Sequence, residues 1–183
     1  MHKPLISLLV MSLSFALEAK LYKVSDRGDI LPDSAPEFAC VLDDKSKLLW
    51  EVKTTQTGLQ HQHNTYTWFD GKTGVDNGQY SRHCHWGEAC NTQRYISALN
   101  QAKRCQQNNW RLPGARELKT LLNYGDDHLL IDTSFFPQTQ AASYWSADEI
   151  DAEIAVDVPF FYGGVGSSDK LFDAHIRAVS SVD

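Results

Sequence analysis

Four cysteines, at positions 40, 84, 90 and 105, constrain this chain more than any other feature. Their meaning depends on the compartment, and the N-terminus supplies it. Lys3 precedes an apolar run from Leu5 to Ala16. That run is shorter than the ~20 residues a helix needs to cross a bilayer, and it fits the apolar region of a secretory signal peptide. Ser14 and Ala16 place small residues at −3 and −1 of a cleavage after Ala16; cleavage after Ala19 is the alternative, with Leu17 at −3. Residues 1–19 therefore read as a signal peptide and the mature chain as secreted or periplasmic. No cysteine follows the apolar run to carry lipid, and no second stretch reaches spanning length, so no integral membrane segment is expected after cleavage. In an oxidising compartment an even cysteine count reads as a disulfide framework. Cys84 and Cys90 flank a short loop. A local bridge between them leaves Cys40 with Cys105, while the sequence keeps the other two connectivities open.

The 183 residues are 42% hydrophobic, enough for one domain with a sizeable core. Net charge is −6 and the acids are dispersed. That excludes nucleic-acid binding by bulk charge, and a sulfated ligand would need a local basic patch that the sequence does not display.

Residues 20–37 read as a polar lead-in segment. Phe38 to Val41 and Lys47 to Lys53 read as strands joined at Asp43-Asp44-Lys45-Ser46, with Leu48, Trp50 and Val52 alternating as on a half-buried strand. Residues 54–90 form a long stretch of weak periodicity, and loops of that length are usually functional or stapled. A first helix is expected over 92–104, capped by Asn91 or Thr92, with Tyr95, Leu99 and Ala102 on one face. A second is expected over 114–123, with Pro113 at its entry, Leu118, Leu121 and Leu122 buried, and Gly125 as the stop. After an irregular 126–143 stretch, Tyr144-Trp145-Ser146 opens a strand set. Ile154, Val156, Val158 and Phe160 alternate, as do Phe172, Ala174, Ile176 and Ala178, around a flexible hairpin tip at 163–169. The fold class is α+β: two helices packed on antiparallel strands with long loops.

No nucleophile elbow, phosphate loop or dinucleotide fingerprint occurs, the cysteines are used in bridges, and no carboxylate pair stands out, so no enzymatic activity and no cofactor are expected. His61 with His63, and His83 with His85, place imidazoles two apart, but neither pair has a third and fourth ligand, so no metal site is assigned. Asp70 to Gly78 lacks the ligand spacing and closing glutamate of a calcium loop and reads as a glycine-rich turn. Tyr66, Trp68, Trp86 and Tyr162 sit in or beside loops, where aromatic faces suit sugar stacking or protein contact; they are the candidate ligand contacts.

The sharpest local signal is Asn109-Trp110-Arg111-Leu112-Pro113 followed by Glu117-Leu118. It resembles the D-W-R-L-P-T-x-x-E-L signature of the bacterial family named for the C-terminal domain of the Legionella collagen-like adhesin. Cys40-Val41-Leu42-Asp43 through Lys53 resembles the family's opening, and Thr65 to Trp68, Cys90-Asn91-Thr92, Ile131-Asp132, Phe135-Phe136-Pro137, Tyr144 to Ala147 and Ile176 to Val179 follow in order. The resemblance implies a C-type-lectin-like fold over 38–183, secretion, and binding rather than catalysis. In the adhesin the domain is tied to trimers and sulfated polysaccharides. This chain departs from that pattern: it is acidic, shows no Gly-x-y stalk, lacks calcium-lectin triplets, and has Gly114 where the family has Thr. Trp110, Arg111, Leu112, Pro113, Glu117, Asp132 and Trp145 are assigned structural roles, with Arg111 and Glu117 pairing in a buried site at a strand–helix junction. The expected function is a secreted, non-catalytic binding or adhesion module of the bacterial envelope. It would use the 54–90, 126–143 and 163–171 loops on an extracellular or envelope ligand, glycan or protein. The alternative is a structural or assembly subunit of an envelope complex.

Overall fold

The computed structural model describes residues 20–182 apart from residues 77, 79–80, 82, 85–89 and 126–127. The expected signal peptide, Trp86 and His85 lie outside the described residues. In chain order the elements are β1 (Leu21–Val24), β2 (Cys40–Asp43), β3 (Leu48–Glu51), β4 (Tyr66–Thr67), α1 (Thr92–Gln101), α2 (Ala115–Lys119), β5 (Ser143–Glu149), β6 (Ile154–Pro159), β7 (Gly166–Asp169), β8 (Asp173–Ala174) and β9 (Val179–Ser181). The chain is α+β, mostly strands with two helices. One antiparallel sheet has the order β1-β2-β3-β9, a second β5-β6-β7, and β4 pairs with β8.

Local chemistry accounts for the first hairpin. Asp43 Oδ1 accepts the Lys45 N–H at 3.0 Å and Oδ2 accepts the Ser46 hydroxyl at 2.7 Å, an Asx-type turn that reverses β2 into β3. β2 begins at Cys40 instead of Phe38, while β3 lies within the expected 47–53. β3 is buried on both faces rather than half-buried, because β3 sits inside the sheet between two cores. Trp50 packs with Val41, Leu118, Phe136, Tyr144 and Val158. Leu49, on the other face, packs with Tyr95, Leu99, Trp110 and Ile176. The lead-in segment contributes β1, which pairs with β2 from Leu21↔Asp43 to Val24↔Cys40.

Asn91 caps α1, its Oδ1 accepting the Arg94 N–H at 2.8 Å. Tyr95 and Leu99 are buried while Ala102 is exposed, because α1 ends at Gln101 instead of 104. Beyond it Lys103, Cys105 and Gln106 take left-handed φ values of 49°, 49° and 62°, each costing a non-glycine residue ~1 kcal/mol. The turn delivers Cys105 to Cys40 on β2; Cys40–Cys105 and Cys84–Cys90 are the two disulfides. The second helix is also shorter than expected. Its end is tightened by bonds from Leu121 N–H to Leu118 O and from Leu122 N–H to Lys119 O, and by the Thr120 hydroxyl on Glu117 O. Gly125 is not in a left-handed conformation and does not stop it. Leu118 and Leu121 are buried as expected.

The family-like signature has a structural explanation. Arg111 pairs with Val179 through reciprocal backbone bonds of 2.9 and 3.0 Å, which lays residues 109–111 beside β9. Trp110 is buried, its backbone clasped on both sides by the Asn100 amide (2.7 and 2.9 Å). Pro113, just ahead of α2, accepts the Ala147 N–H from β5. Glu117 takes both Arg111 terminal nitrogens at 2.7 Å and also accepts the Gly114 N–H at 2.8 Å. Gly114 has no side chain to cap α2, and Asp148 on β5 does so, accepting the Ala115 N–H at 2.7 Å. The Arg111–Glu117 pair forms but is not buried: the side chains are 43% and 29% exposed, since α2 lies at the edge of the core. Arg111→Ala should therefore cost about 1–2 kcal/mol, below the 3–5 kcal/mol of a buried pair. Melts of Arg111→Ala, Glu117→Ala and the double variant check this, with the double less damaged than the sum of the singles. A native melt for Arg111→Ala would move Arg111 to the ligand contacts.

Candidate functional site

Beyond Ala174 the β8 segment leaves β4 and joins β5: the Trp145 N–H donates to His175 O at 2.9 Å and the His175 N–H to Ser143 O at 3.0 Å. This stitches β4–β8 to β5–β6–β7. Two buried tryptophans seal the seam. Trp145 Nε1 donates to Tyr66 O at 2.7 Å, and Trp68 Nε1 to Ser146 O at 2.8 Å. Over the seam opens a cleft of about 410 Å³, with Thr65, Ser168, Asp173 and His175 as polar lining and Phe161 and Phe172 as aromatic lining. The Thr65 hydroxyl donates to Asp173 Oδ2 at 2.5 Å, and Ser168 to Asp157 Oδ2 at 2.8 Å. Asp157 lies so close above β7 that a β-carbon at Gly166 would stand 2.8 Å from its Oδ1.

The aromatics of this cleft come from a packing conflict. Phe160-Phe161-Tyr162 is a run of three, and only Phe160 turns into the core. Phe161 is 44% exposed and meets Tyr162, 62% exposed, edge to face at 4.5 Å between ring centres. Phe172, expected on a buried strand face, is 66% exposed in the turn between β7 and β8. Ala174, Ile176 and Ala178 are buried as their alternation predicts; Phe172 alone departs, because the strand β8 begins only at Asp173. Residues 166–169, read as a hairpin tip, are strand β7.

Burial lowers the His175 imidazole to about 4; the Lys53 charge and then His63 add to this, while a hydrogen bond to the Asn64 backbone and the Asp173 charge oppose it. The native state thus holds His175 neutral, whereas the unfolded chain protonates it near 6.5. The unfolded state binds more protons between these values, so the stabilisation is complete above about pH 6.5 and lost as pH falls to about 4. The loss is about 3 kcal/mol. Melting curves across pH 4–8 should show this slope, and His175→Gln should flatten it between pH 6.5 and 4.

A second cleft, about 450 Å³, lies beside the Cys40–Cys105 bridge, but its cations are engaged: Arg104 pairs with Asp26 at 3.0 Å and Lys53 with Glu51 at 2.8 Å. The latter belongs to a buried network. Glu51 Oε1 accepts from Lys53 and the Tyr95 hydroxyl, and Oε2 accepts the Ala178 N–H at 3.1 Å. Burial pushes the Glu51 carboxyl up, but the Lys53 ammonium and the hydrogen bonds from Lys53, Tyr95 and Ala178 outweigh it and hold it low. Burial lowers Lys53, with Glu51 opposing. Arg177, wholly buried, donates to Glu51 O at 2.8 Å and Thr139 Oγ1 at 2.6 Å and lies over Phe136.

Among the candidate contacts, Tyr66 and Trp68 are corrected: at 0% and 2% exposure they are core residues. Their loop is covered by β8 and α1, with the Tyr66 ring against Tyr95 and Lys170 over Trp68. Tyr162 is exposed beside the cleft. Trp145 is buried beneath it, and Asp132 organises a turn by accepting from Ser134 N–H and Oγ at 2.9 and 2.6 Å. His61 and His63 have ring centres 5.3 Å apart, and among the described residues no three His, Cys, Asp or Glu gather as a metal site. In the Asp70 turn, Asp70 Oδ1 accepts the Lys72 and Thr73 N–H groups at 2.8 and 2.7 Å. Sequence reading missed Phe161, Phe172, Asp173 and His175; the aromatic triplet ahead of Gly163-Gly164 was the available signal, since three successive side chains cannot share one buried face.

Residues 39–180, spanning both cores, the signature and the cleft, match the Lcl C-terminal domain profile. The chain belongs to the Lcl C-terminal domain family. This is the C-terminal family of the Legionella collagen-like adhesin, so the chain carries an adhesin-associated domain. No curated protein sequence matches the chain. Membership in the Lcl C-terminal domain family and the two disulfides fit an extracellular or envelope location. Among the described residues no helix is long and apolar enough to cross a membrane.

Proposed function

We propose that this protein is a secreted, non-catalytic binding module of the bacterial envelope, released by cleavage of residues 1–19, with a C-type-lectin-like scaffold presenting the β5–β8 cleft to a ligand outside the cytoplasm. The observation that carries the reading is the cleft itself. Phe161, Tyr162 and Phe172 stand exposed at or beside a concave surface lined at its base by the buried Trp145, whose indole is held by Tyr66 O. Exposed aromatics around a preformed concavity with a few fixed polar groups are the usual makeup of a binding site. The ligand is a glycan or a protein, and adhesion is the activity such contact serves. Beads coated with the purified mature chain should attach to bacterial surfaces or their extracellular matrix. A Phe161→Ala/Phe172→Ala variant of unchanged melting temperature should not. Equal attachment by both would remove the cleft as the binding surface, and a chain retained in the cytoplasm with its first 19 residues would remove the secreted role.

A further inference from the structure

A strand at the edge of a sheet turns half of its backbone groups away from its neighbour, and only water or another strand can satisfy them. In this chain most such edges are taken by the chain itself. Residues 109–111 lie along β9, His175 pairs with β5, and residues 30–31 turn back on β1, the Leu31 N–H donating to Lys23 O at 2.8 Å. The edge of β7 is different. It pairs with β6 from Ile154↔Asp169 to Asp157↔Gly166, and in the next row the Lys170 N–H donates to Glu153 O at 2.8 Å. Bonded rows alternate in an antiparallel ladder, so Ala155–Ser168 and Asp157–Gly166 exchange bonds while Ser167 and Asp169 turn their backbone groups away from β6. The Asp169 carbonyl is taken by the Phe172 N–H at 2.9 Å. Among the described residues no hydrogen bond ends on the Ser167 backbone or on the Asp169 N–H. Ser167 is exposed, and the strand carries no lysine or proline, the residues that commonly block an edge. Phe161, in the turn before β7, and Phe172, in the turn after it, both line the cleft, as does Ser168. Gly166 shares that face with Ser168, whereas Ser167 points to the other. A second copy of this chain fits the edge poorly. Each chain carries a net charge of −6, and antiparallel pairing of β7 with itself about Ser167 would set each Asp169 opposite the apolar Val165 of the other copy.

We propose that the open edge of β7 binds an extended segment of a partner protein as a fourth strand of the β5–β6–β7 sheet, its backbone bonded to Ser167 and its alternate apolar side chains lying on the cleft face toward Phe161 and Phe172. The inference rests on the cleft being the binding site, since β7 forms its rim, and it names polypeptide as the ligand class. Backbone bonds supply attachment in strand addition, and the pockets met by alternate side chains supply selection. Residues of the added strand that bond to Ser167 carry their side chains on the same face as Ser167, away from the cleft. Those between them project into the cleft, and their N–H groups point away from β7. A segment that alternates polar and apolar residues therefore bonds through its polar residues and packs through its apolar ones.

The probe is an end-blocked heptapeptide alternating threonine and valine, titrated into the full mature chain. Two further forms carry N-methyl groups on every threonine or on every valine, with the side chains unchanged. The expected result is saturable binding that weakens by about tenfold or more when the threonines are methylated, because the N–H groups facing Ser167 are lost, and by no more than about threefold when the valines are. Amide hydrogen exchange reads the same contact without a variant. In the free chain the Ser167 amide should exchange about tenfold or more faster than the Ser168 amide, which is bonded within the ladder, and the peptide should slow it. Ser167→Pro should weaken binding by about tenfold or more with an unchanged melting temperature, because the lost N–H lies outside the β6 ladder, where an edge strand tolerates proline. Absence of saturable binding, equal loss from both methylated forms, or loss from methylated valine alone overturns the proposal. So does a Ser167 amide that the peptide leaves unprotected, or a dimer of this chain that Ser167→Pro dissociates. The bead assay separates this inference from the reading beneath it. Attachment that depends on Phe161 and Phe172 while the peptide does not bind keeps the cleft and removes strand addition; attachment that depends on neither phenylalanine nor on Ser167 removes both.

Discussion

Glu51→Ala should lower the melting temperature by roughly 10 °C or more, or prevent the protein from accumulating. Glu51 is wholly buried and supplies the negative charge beside the buried cations Lys53 and Arg177. It also accepts the Tyr95 hydroxyl and the Ala178 N–H. Removing one member of a buried pair leaves the other desolvated and typically costs about 3–5 kcal/mol, and each kcal/mol moves the melting point by ~2–4 °C in a domain of this size. Lys53→Met should cost less. Glu51 would keep the Tyr95 and Ala178 hydrogen bonds, whereas Lys53 after Glu51→Ala keeps only the Tyr95 hydroxyl oxygen at 2.7 Å. The Glu51→Ala/Lys53→Met double variant should be less damaged than the sum of the singles, because neither member of that pair is then left facing the other's absence. Circular-dichroism melts at pH 7 decide the matter. A near-native melt for Glu51→Ala would mean that Lys53 finds water through the adjoining cleft.

The second large effect belongs to the longer disulfide. Cys40 and Cys105 are 65 residues apart, while Cys84 and Cys90 are 6 apart. In the chain-entropy model the longer closure is worth about 4 kcal/mol and the shorter about 2 kcal/mol. The native environment adds to the difference. Cys105 follows Lys103 into left-handed backbone that relaxes when untethered. Cys40 pairs with both Val24 and Glu51, so the bridge anchors the turn after α1 to the centre of the first sheet. Cys40→Ala/Cys105→Ala should therefore melt well below Cys84→Ala/Cys90→Ala, each compared with the parent under non-reducing conditions. The reverse order would show that the loop closed by the short bridge carries more of the fold than its length suggests.

Local chemistry written in the sequence determined much of this protein. Cysteine spacing was enough to favour both bridges, Asn91 to cap α1, Asp43 with Ser46 to turn the first hairpin, and the leucines at 118 and 121 to bury one face of α2. The ordered motifs from Cys40 to Val179 were enough to place the family, because they encode a packing scheme: Trp110 in the second core, Arg111 beside β9, Pro113 and Glu117 at the entry to α2.

Only the tertiary structure decided which aromatics are available. Tyr66 and Trp68 lie in a stretch that reads as loop, yet β8 and α1 cover them. Phe172 lies in a stretch that reads as strand, yet it faces solvent because it stands in the turn between β7 and β8. Exposure is a property of what packs on top, supplied here by α1 and β8, elements distant in the chain, and no local period records it. The same holds for the helix lengths and for Arg111–Glu117, whose pairing follows from a six-residue spacing but whose solvation depends on where α2 meets the core edge. The cleft is the clearest case. Thr65, Phe161, Ser168, Asp173 and His175 come from four separate segments, and strand pairing together with the hydrogen bonds that join His175 to β5 brings them to one surface.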